Sequence, residues 1–280
     1  MTSGRYGIDE WFVTALARTI RDGEVTFHGF ASPCAQVAMH LAKRTHAPRM
    51  LLIEGAMYAL DPTPPFIPPT SNDASLRHGA AYSMRFEEFF DAAVRGDVDR
   101  MFLSGGQIDG YGNTNVTAIG GMPGPKVKLG GGGGGCNVSA TIGRLTLWST
   151  NHRSGRCMVE ACDFITDLGH RTPAGTRAEL GCTGGGPQWL VTELGVFDFP
   201  AGRARLRRVF PDTTVDEVCA ATGFELHVAD DLGVIEAPSA RDIALIREID
   251  PLGVRRREFR TAELDRRFDD LAGTTAGAVP

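Results

Sequence analysis

The sequence predicts an α/β fold, and three observations predict it. Residues 24–54 read as strand, helix and strand, beginning with "EVTFHGF" and ending with "RMLLIEG". Between them, Val37, Ala38, Leu41 and Ala42 share one helical face. The unbroken apolar run that closes the unit marks a buried parallel strand, and strand–helix–strand within about thirty residues is a βαβ unit. A second helix and strand then follow in the same order, "RFEEFFDAAVRG" and "VDRMFLSGG".

The remaining elements extend this pattern. Residues 9–22 place Phe12, Leu16 and Ile20 at helical spacing, and Gly23 stops the run. Downstream, "RLTLWST" and "RCMVEACDFIT" predict strands, and "QWLVTELGVFDF" over 188–199 predicts a hairpin around a glycine. "TTVDEVCAATGF" opens on a helix cap and closes on glycine, and "ARDIALIREID" predicts a last amphipathic helix. The stretch "DPTPPFIPPTSND" holds five prolines between 62 and 69. It starts soon after the strand ending at Glu54, which favours a stiff surface loop over a site rather than an interdomain linker. With no internal repeat and no composition break, the sequence predicts a single α/β domain over 1–272 and a flexible C-terminal tail over 273–280.

Composition narrows the function classes. The chain has 280 residues, a net charge of −5 and a pI near 5.8. No basic stripe of the kind that binds nucleic acid is present; Arg255, Arg256 and Arg257 read as a solvated helix end among acidic residues. No apolar run is long enough to span a bilayer. Charges at Asp9, Glu10, Arg18 and Arg21 interrupt the place where a signal peptide needs an apolar core. A cytoplasmic protein with neither a nucleic-acid nor a membrane partner is expected. Six cysteines show no CxxC pair and no zinc spacing, so free thiols, mostly buried, and no metal site are expected.

Three features can carry chemistry. Glu54 ends an apolar strand, at the edge where open α/β sheets bind ligands. It is either a solvated strand-end carboxylate or a half-buried nucleophile with a raised pKa. "SGGQIDGYGNTN", residues 104–115, surrounds Gln107, Asp109, Asn113 and Asn115 with four glycines. That is a tight turn or a polar loop facing a ligand. "KLGGGGGGCNVSA" places six consecutive glycines at 130–135. No Lys-Ser/Thr follows them, so this is not a P-loop, and a GxGxxG match inside such a run carries no information. Glycine does allow close backbone approach, leaving N–H groups aimed at a developing oxyanion. Cys136 reads as a small packing residue, His28 and His40 as structural, and Trp148 and Trp189 as core.

In this order the three features resemble the B subunit of glutaconate CoA-transferase and the family I CoA-transferases. "APRMLLIEGAM" is similar to the segment in which Ala-Pro precedes a strand ending in the catalytic glutamate. "GGQIDGYGNTN" resembles the family's GGAQID-x-YGN-x-N loop, and "GGGGGCN" its GSGGAN loop. The hairpin and the segment "AATGFELHV…EAPSARDIALIREIDP" match as well, so the resemblance covers residues 9–251. Gly55-Ala56 replaces the usual Ser-Gly, Cys136 the usual alanine, and the proline-rich segment differs. These departures bear on substrate choice.

The resemblance implies an open, mostly parallel sheet with helices on both faces, of the CoA-transferase family I (NagB-RpiA-like) kind. It implies Glu54 as the catalytic nucleophile of a ping-pong acyl-CoA:carboxylate CoA-transferase. Gly134, Gly135 and Asn137 would form the oxyanion and CoA-binding segment, with Gln107, Asp109 and Asn113 in the pocket wall. Coenzyme A is implied as a cosubstrate and not as a resident cofactor. A homologous A subunit is implied as partner in a heterodimer or larger hetero-oligomer. Two alternatives stay open: hydrolysis or decarboxylation of an acyl-CoA on the same scaffold, and a non-catalytic scaffolding or ligand-binding subunit.

Overall fold

The βαβ unit forms as predicted: β1 (Val25–His28), α2 (Pro33–Arg44) and β2 (Leu51–Glu54), preceded by α1 (Ile8–Ala17). A computed structural model describes residues 6–268, and the expected tail at 273–280 lies outside the described residues. β3 (Ala59–Leu60) and β4 (Tyr82–Ser83) lead to α3 (Phe86–Arg95) and β5 (Arg100–Ser104). The short helix α4 (Gly135–Thr141) then precedes β6 (Arg144–Ser149). The predicted hairpin is β7 (Pro187–Thr192) with β8 (Gly195–Asp198), followed by β9 (Arg205–Val209), α5 (Val215–Ala221), β10 (His227–Val234) and α6 (Ala240–Ile249).

The ten strands form one sheet in the order β10-β9-β8-β7-β6-β5-β1-β2-β3-β4. The middle five, β7-β6-β5-β1-β2, are mutually parallel. β8 and β9 extend one edge antiparallel and β3 and β4 the other, while β10 runs parallel to β9. The pleat divides the core in two. Phe102, Trp148 and Val191 point to the face covered by α1, α2 and α6. Met101, Leu103, Leu147 and Leu190 point to the other, against Phe89 of α3, Val138 of α4 and Val218 of α5. The expected open, mostly parallel sheet with helices on both faces is the observed one.

Three expectations change, and two strands are present that the sequence reading did not include. The first helix ends at Ala17 instead of running to Asp22, because the Thr19 hydroxyl donates to the Leu16 carbonyl and turns the chain. "RCMVEACDFIT" is not a sheet strand; Cys157 and Met158 bury themselves against the 107–115 loop through one isolated bridge at Ile108. β9 and β10 give no clean alternation in sequence, since Arg205 and Arg207 both pair with Asp198 at this edge of the sheet. Arg255 is not solvated: it lies buried between Asp9 and Asp250, 2.9 Å from each. The proline-rich segment is a surface loop of the same unit, pinned where the Ile67 N–H donates to the Ile249 carbonyl and Arg257 to the Pro69 carbonyl.

Candidate active site

Glu54 sits at the carboxyl end of β2 with no exposed surface. Strand alternation turns Ile53 toward α3 and sends Glu54 toward α2. There its Oε1 accepts from Gln36 Nε2 at 2.9 Å and lies 3.0 Å from His28 Nε2. Its Oε2 is buried with no hydrogen-bond partner among the described residues. Burial works to raise the Glu54 pKa, but the charge and hydrogen bond of His28 outweigh it and hold the carboxyl below its ordinary range. The reciprocal effect lifts His28 above its ordinary 6.5 despite its burial. His28 also places Nδ1 2.9 Å from the Gly29 carbonyl, which fixes the ring. His40, one turn beyond Gln36 on α2, is pushed by burial down to about 4 and stays neutral. The contact gives His28 a buried partner that the sequence does not show.

The turns flanking Glu54 are strained. Ala31 and Tyr58 hold φ of 49° and 48°, left-handed values that cost free energy for residues with a Cβ. Between them the backbones touch: a Cβ on Gly55 would lie 2.2 Å from the His28 carbonyl oxygen. A side chain at 55 would force this backbone contact apart, so this turn holds glycine.

Beside this wall, on the α3 face of the sheet, lies a cavity of about 360 Å³. Gly29 and Tyr58 line it on the Glu54 side, and Gly131–Gly135 line it opposite. The glycine run is therefore a cavity wall and not a linker. A Cβ on Gly134 would meet Phe90 Cζ at 2.2 Å, and one on Gly135 would meet Asp167 Oδ1 at 2.9 Å. The Gly135 N–H donates to the Gly132 carbonyl at 2.7 Å, so it is not free for an oxyanion. Among the described residues the N–H groups of Gly133 and Gly134 have no acceptor. Asn137 and Cys136 are exposed on the first turn of α4, and neither lines the cavity. Cys136 is thus not a packing residue, and of the six cysteines only Cys34 and Cys157 are fully buried.

The expected pocket-wall residues brace the site and do not line it. Asp109 accepts from the N–H groups of Tyr111 and Asn113 and from Asn113 Nδ2 at 2.7 Å. Asn113 also holds the Arg171 carbonyl and the Gly169 N–H. Gln107 links Asn115 to Asp163. All three are buried with their polar groups turned inward, and Ser104 and Val116 at the loop's two ends reach the cavity instead. Sequence reasoning passed over Asp167. Its Oδ2 accepts from the Thr114 hydroxyl at 2.6 Å, its Oδ1 is buried without a partner among the described residues, and burial raises its pKa. Trp148 is core, as expected, whereas Trp189 is half-buried. A larger depression of about 470 Å³ lies near Gly143, Gly186 and Pro187, at the amino ends of β6 and β7. That is the wrong edge for ligand chemistry in a sheet of this kind.

The chain that carries this buried carboxylate at a parallel strand's carboxyl end, and a glycine-walled cavity on the sheet's other face, also matches known proteins. The chain is 33% identical to the B subunit of glutaconate CoA-transferase from Acidaminococcus fermentans, over 88% of its length and 93% of that protein. The chain belongs to the B subunits of the family I CoA-transferases. This family member is also 29% identical to the B subunit of 3-oxoadipate CoA-transferase from Pseudomonas knackmussii, covering 94% of it. It is 30% identical to the cholesterol ring-cleaving hydrolase IpdB subunit of Mycobacterium tuberculosis, covering 96%. The glutaconate CoA-transferase crystal structure superposes with a TM-score of 0.78 at 26% identity, over 91% of this chain and 98% of that one. The decarboxylase AibA/AibB superposes with a TM-score of 0.78 at 32% identity, over 90% and 98%. No protein-family model matches the chain. Among the described residues no helix is long and apolar enough to cross a membrane.

Proposed function

We propose that this B subunit works with a homologous A subunit as an acyl-CoA:carboxylate CoA-transferase whose nucleophile is Glu54. The observation that carries the reading is the Glu54 Oε2 atom, buried without a partner on a carboxylate that His28 keeps ionised. A buried acceptor left unpaired is costly, and a catalytic role is one reason such a group is kept. To reach the cavity the carboxylate would turn from its α2-side position past Gly29, where a Cβ would meet nothing closer than the Ser32 hydroxyl at 4.0 Å. It would then attack the thioester carbonyl of an acyl-CoA. The C–S bond breaks, an acyl-glutamyl anhydride forms, and CoA leaves as its thiolate.

The thiolate next attacks the glutamyl carbonyl and expels the first carboxylate, leaving a glutamyl-CoA thioester. A second carboxylate reverses the two steps and departs as the new acyl-CoA, which is ping-pong chemistry. The N–H groups of Gly133 and Gly134 would stabilise the tetrahedral oxyanions. Coenzyme A is a cosubstrate in this scheme and not a resident group.

The test uses the protein co-expressed with its A subunit, incubated with acyl-CoAs and reduced with borohydride. A reduced adduct on the Glu54 peptide, absent in Glu54→Ala, is expected. The hydrolase relative favours a second reading, thioester hydrolysis in which water replaces the acceptor acid. Steady CoA release with no acceptor and no adduct would establish it.

A further inference from the structure

The cavity on the α3 face of the sheet is built from aromatic rings. Phe27 and Phe89 lie 4.1 Å apart between ring centroids, Phe86 and Phe90 lie 4.5 Å apart, and Tyr58 packs at 5.4 Å from Phe89. These five rings form a continuous strip from the sheet to the cavity mouth, where Phe86 is 58% exposed. The strip meets the glycine loop at Phe90, against which Gly134 is pressed. Phe30, 59% exposed, stands at the same mouth, on the Gly29 side. Large apolar side chains left in water around a cavity mark a ligand site.

Charge is what the lining lacks. Among the described residues no Lys, Arg or His lines the cavity, and its ionisable groups are Asp167 and the Tyr58 phenol. An acyl group ending in a carboxylate would bury that charge without a cation and beside a carboxyl oxygen that already has no partner. A hydrocarbon would cover the rings and lose nothing by leaving water.

Resting on the acyl-CoA reading above, we infer that the acyl group held by this subunit is an uncharged, hydrocarbon-rich one and not an ω-carboxylate. Its thioester carbonyl would lie toward the Gly133–Gly134 segment and its hydrocarbon along the ring strip. Phe86 and Phe90 then set specificity.

A matched pair of thioesters tests this: octanoyl-CoA and suberyl-CoA, which differ in the terminal carboxylate. Their affinities would be measured by titration calorimetry on the complex with the A subunit, with Glu54→Gln in this chain to prevent turnover. At least a tenfold preference for octanoyl-CoA is expected. Phe86→Arg, a change at a position that is 58% exposed, should shrink that preference by tenfold or reverse it. Equal binding, tighter binding of suberyl-CoA, binding of neither, or a preference unmoved by Phe86→Arg would each overturn the inference. Borohydride trapping on the wild-type complex separates it from the transfer reading. An adduct from suberyl-CoA alone keeps the nucleophile and removes the hydrocarbon site. Octanoyl preference without any adduct keeps the site and removes the transferase.

Discussion

His28 Nε2 lies 3.0 Å from Glu54 Oε1, and both side chains are cut off from solvent. The pairing depends on the parallel register of β1 on β2, in which Phe27 faces Ile53 and carries the next residues, His28 and Glu54, to the same level. Removing one member leaves the other as an uncompensated buried charge, which costs about 3–5 kcal/mol. His28→Asn should therefore unfold at a lower temperature than the wild type and lose CoA transfer. The pH dependence has a defined sign. Glu54 titrates below its ordinary 4.5 and His28 above its ordinary 6.5. The Glu54 contribution is present above about pH 4.5 and fades as pH falls through its lowered folded value. The His28 contribution is full below about pH 6.5 and fades as pH rises through its raised one. Melting curves should thus separate wild type from His28→Asn most widely between these limits and converge toward alkaline pH. A gap that widens with pH would refute the ion pair.

Gly134 couples the glycine loop to the aromatic strip, and Gly134→Ala should break that coupling. The new methyl would overlap Phe90 Cζ, so either the ring or the loop has to shift. Overpacking of this kind costs about 1–3 kcal/mol, and displacing an oxyanion donor costs roughly a hundredfold or more in kcat. Phe90→Leu in the Gly134→Ala background should recover most of the stability. A double-mutant cycle on melting midpoints and kcat measures the coupling. Additive effects would mean that Phe90 and Gly134 do not act together.

Much of this architecture can be read from local sequence, and the limits fall where contacts are not local. Glu54 stands out because a carboxylate at the end of an apolar run is a local event, and the glycine run stands out by composition alone. The partners of Glu54 do not stand out. His28 and Gln36 become neighbours only once strand register and the rotation of α2 are set. "RFEEFFDAAVRG" reads only as a helix, and that its phenylalanines at 86, 89 and 90 all line the cavity is visible only in the fold. Gln107, Asp109 and Asn113 mislead for another reason. A loop dense in amides can face a ligand or staple itself, and the composition is the same in both cases. Here Asp109 uses its acceptors on Tyr111 and Asn113, so the loop is stapled.

Asp167 carries a different pH signature. Burial raises its pKa above the ordinary 3.8, and its Oδ1 has no partner. The folded state therefore binds a proton more tightly than the unfolded chain. Its burden on stability is absent below about pH 3.8 and grows as pH rises to the raised folded value. Asp167→Asn retains an acceptor for the Thr114 hydroxyl and removes that burden. Urea unfolding should find the variant more stable than wild type at pH 8, with the advantage fading as pH falls toward 3.8. An advantage independent of pH would show that the carboxyl is not the origin of the effect.

The sheet's own buried charge lies on its amino-terminal side. Arg100, with no exposed surface, opens β5, and its Nε and Nη2 hold the two Glu24 carboxylate oxygens at 2.8 and 3.1 Å. Thr146 and Gln188 accept from the remaining guanidinium edge at 2.8 and 2.9 Å, so three neighbouring parallel strands and the residue leading into β1 converge on one group. Burial favours the acid form of Glu24, yet the Arg100 charge holds its pKa below 4.5. The pair is satisfied in full, which is the condition under which a buried charge is tolerated. Glu24→Ala leaves the guanidinium without its counterion and should cost about 3 kcal/mol or more. Changing both partners, Glu24→Ala with Arg100→Met, removes the stranded charge and should recover at least half of that loss. Denaturant midpoints of the two variants decide the point. A double variant no better than Glu24→Ala would mean that packing around the long Arg100 side chain, and not its charge, holds β5 in register.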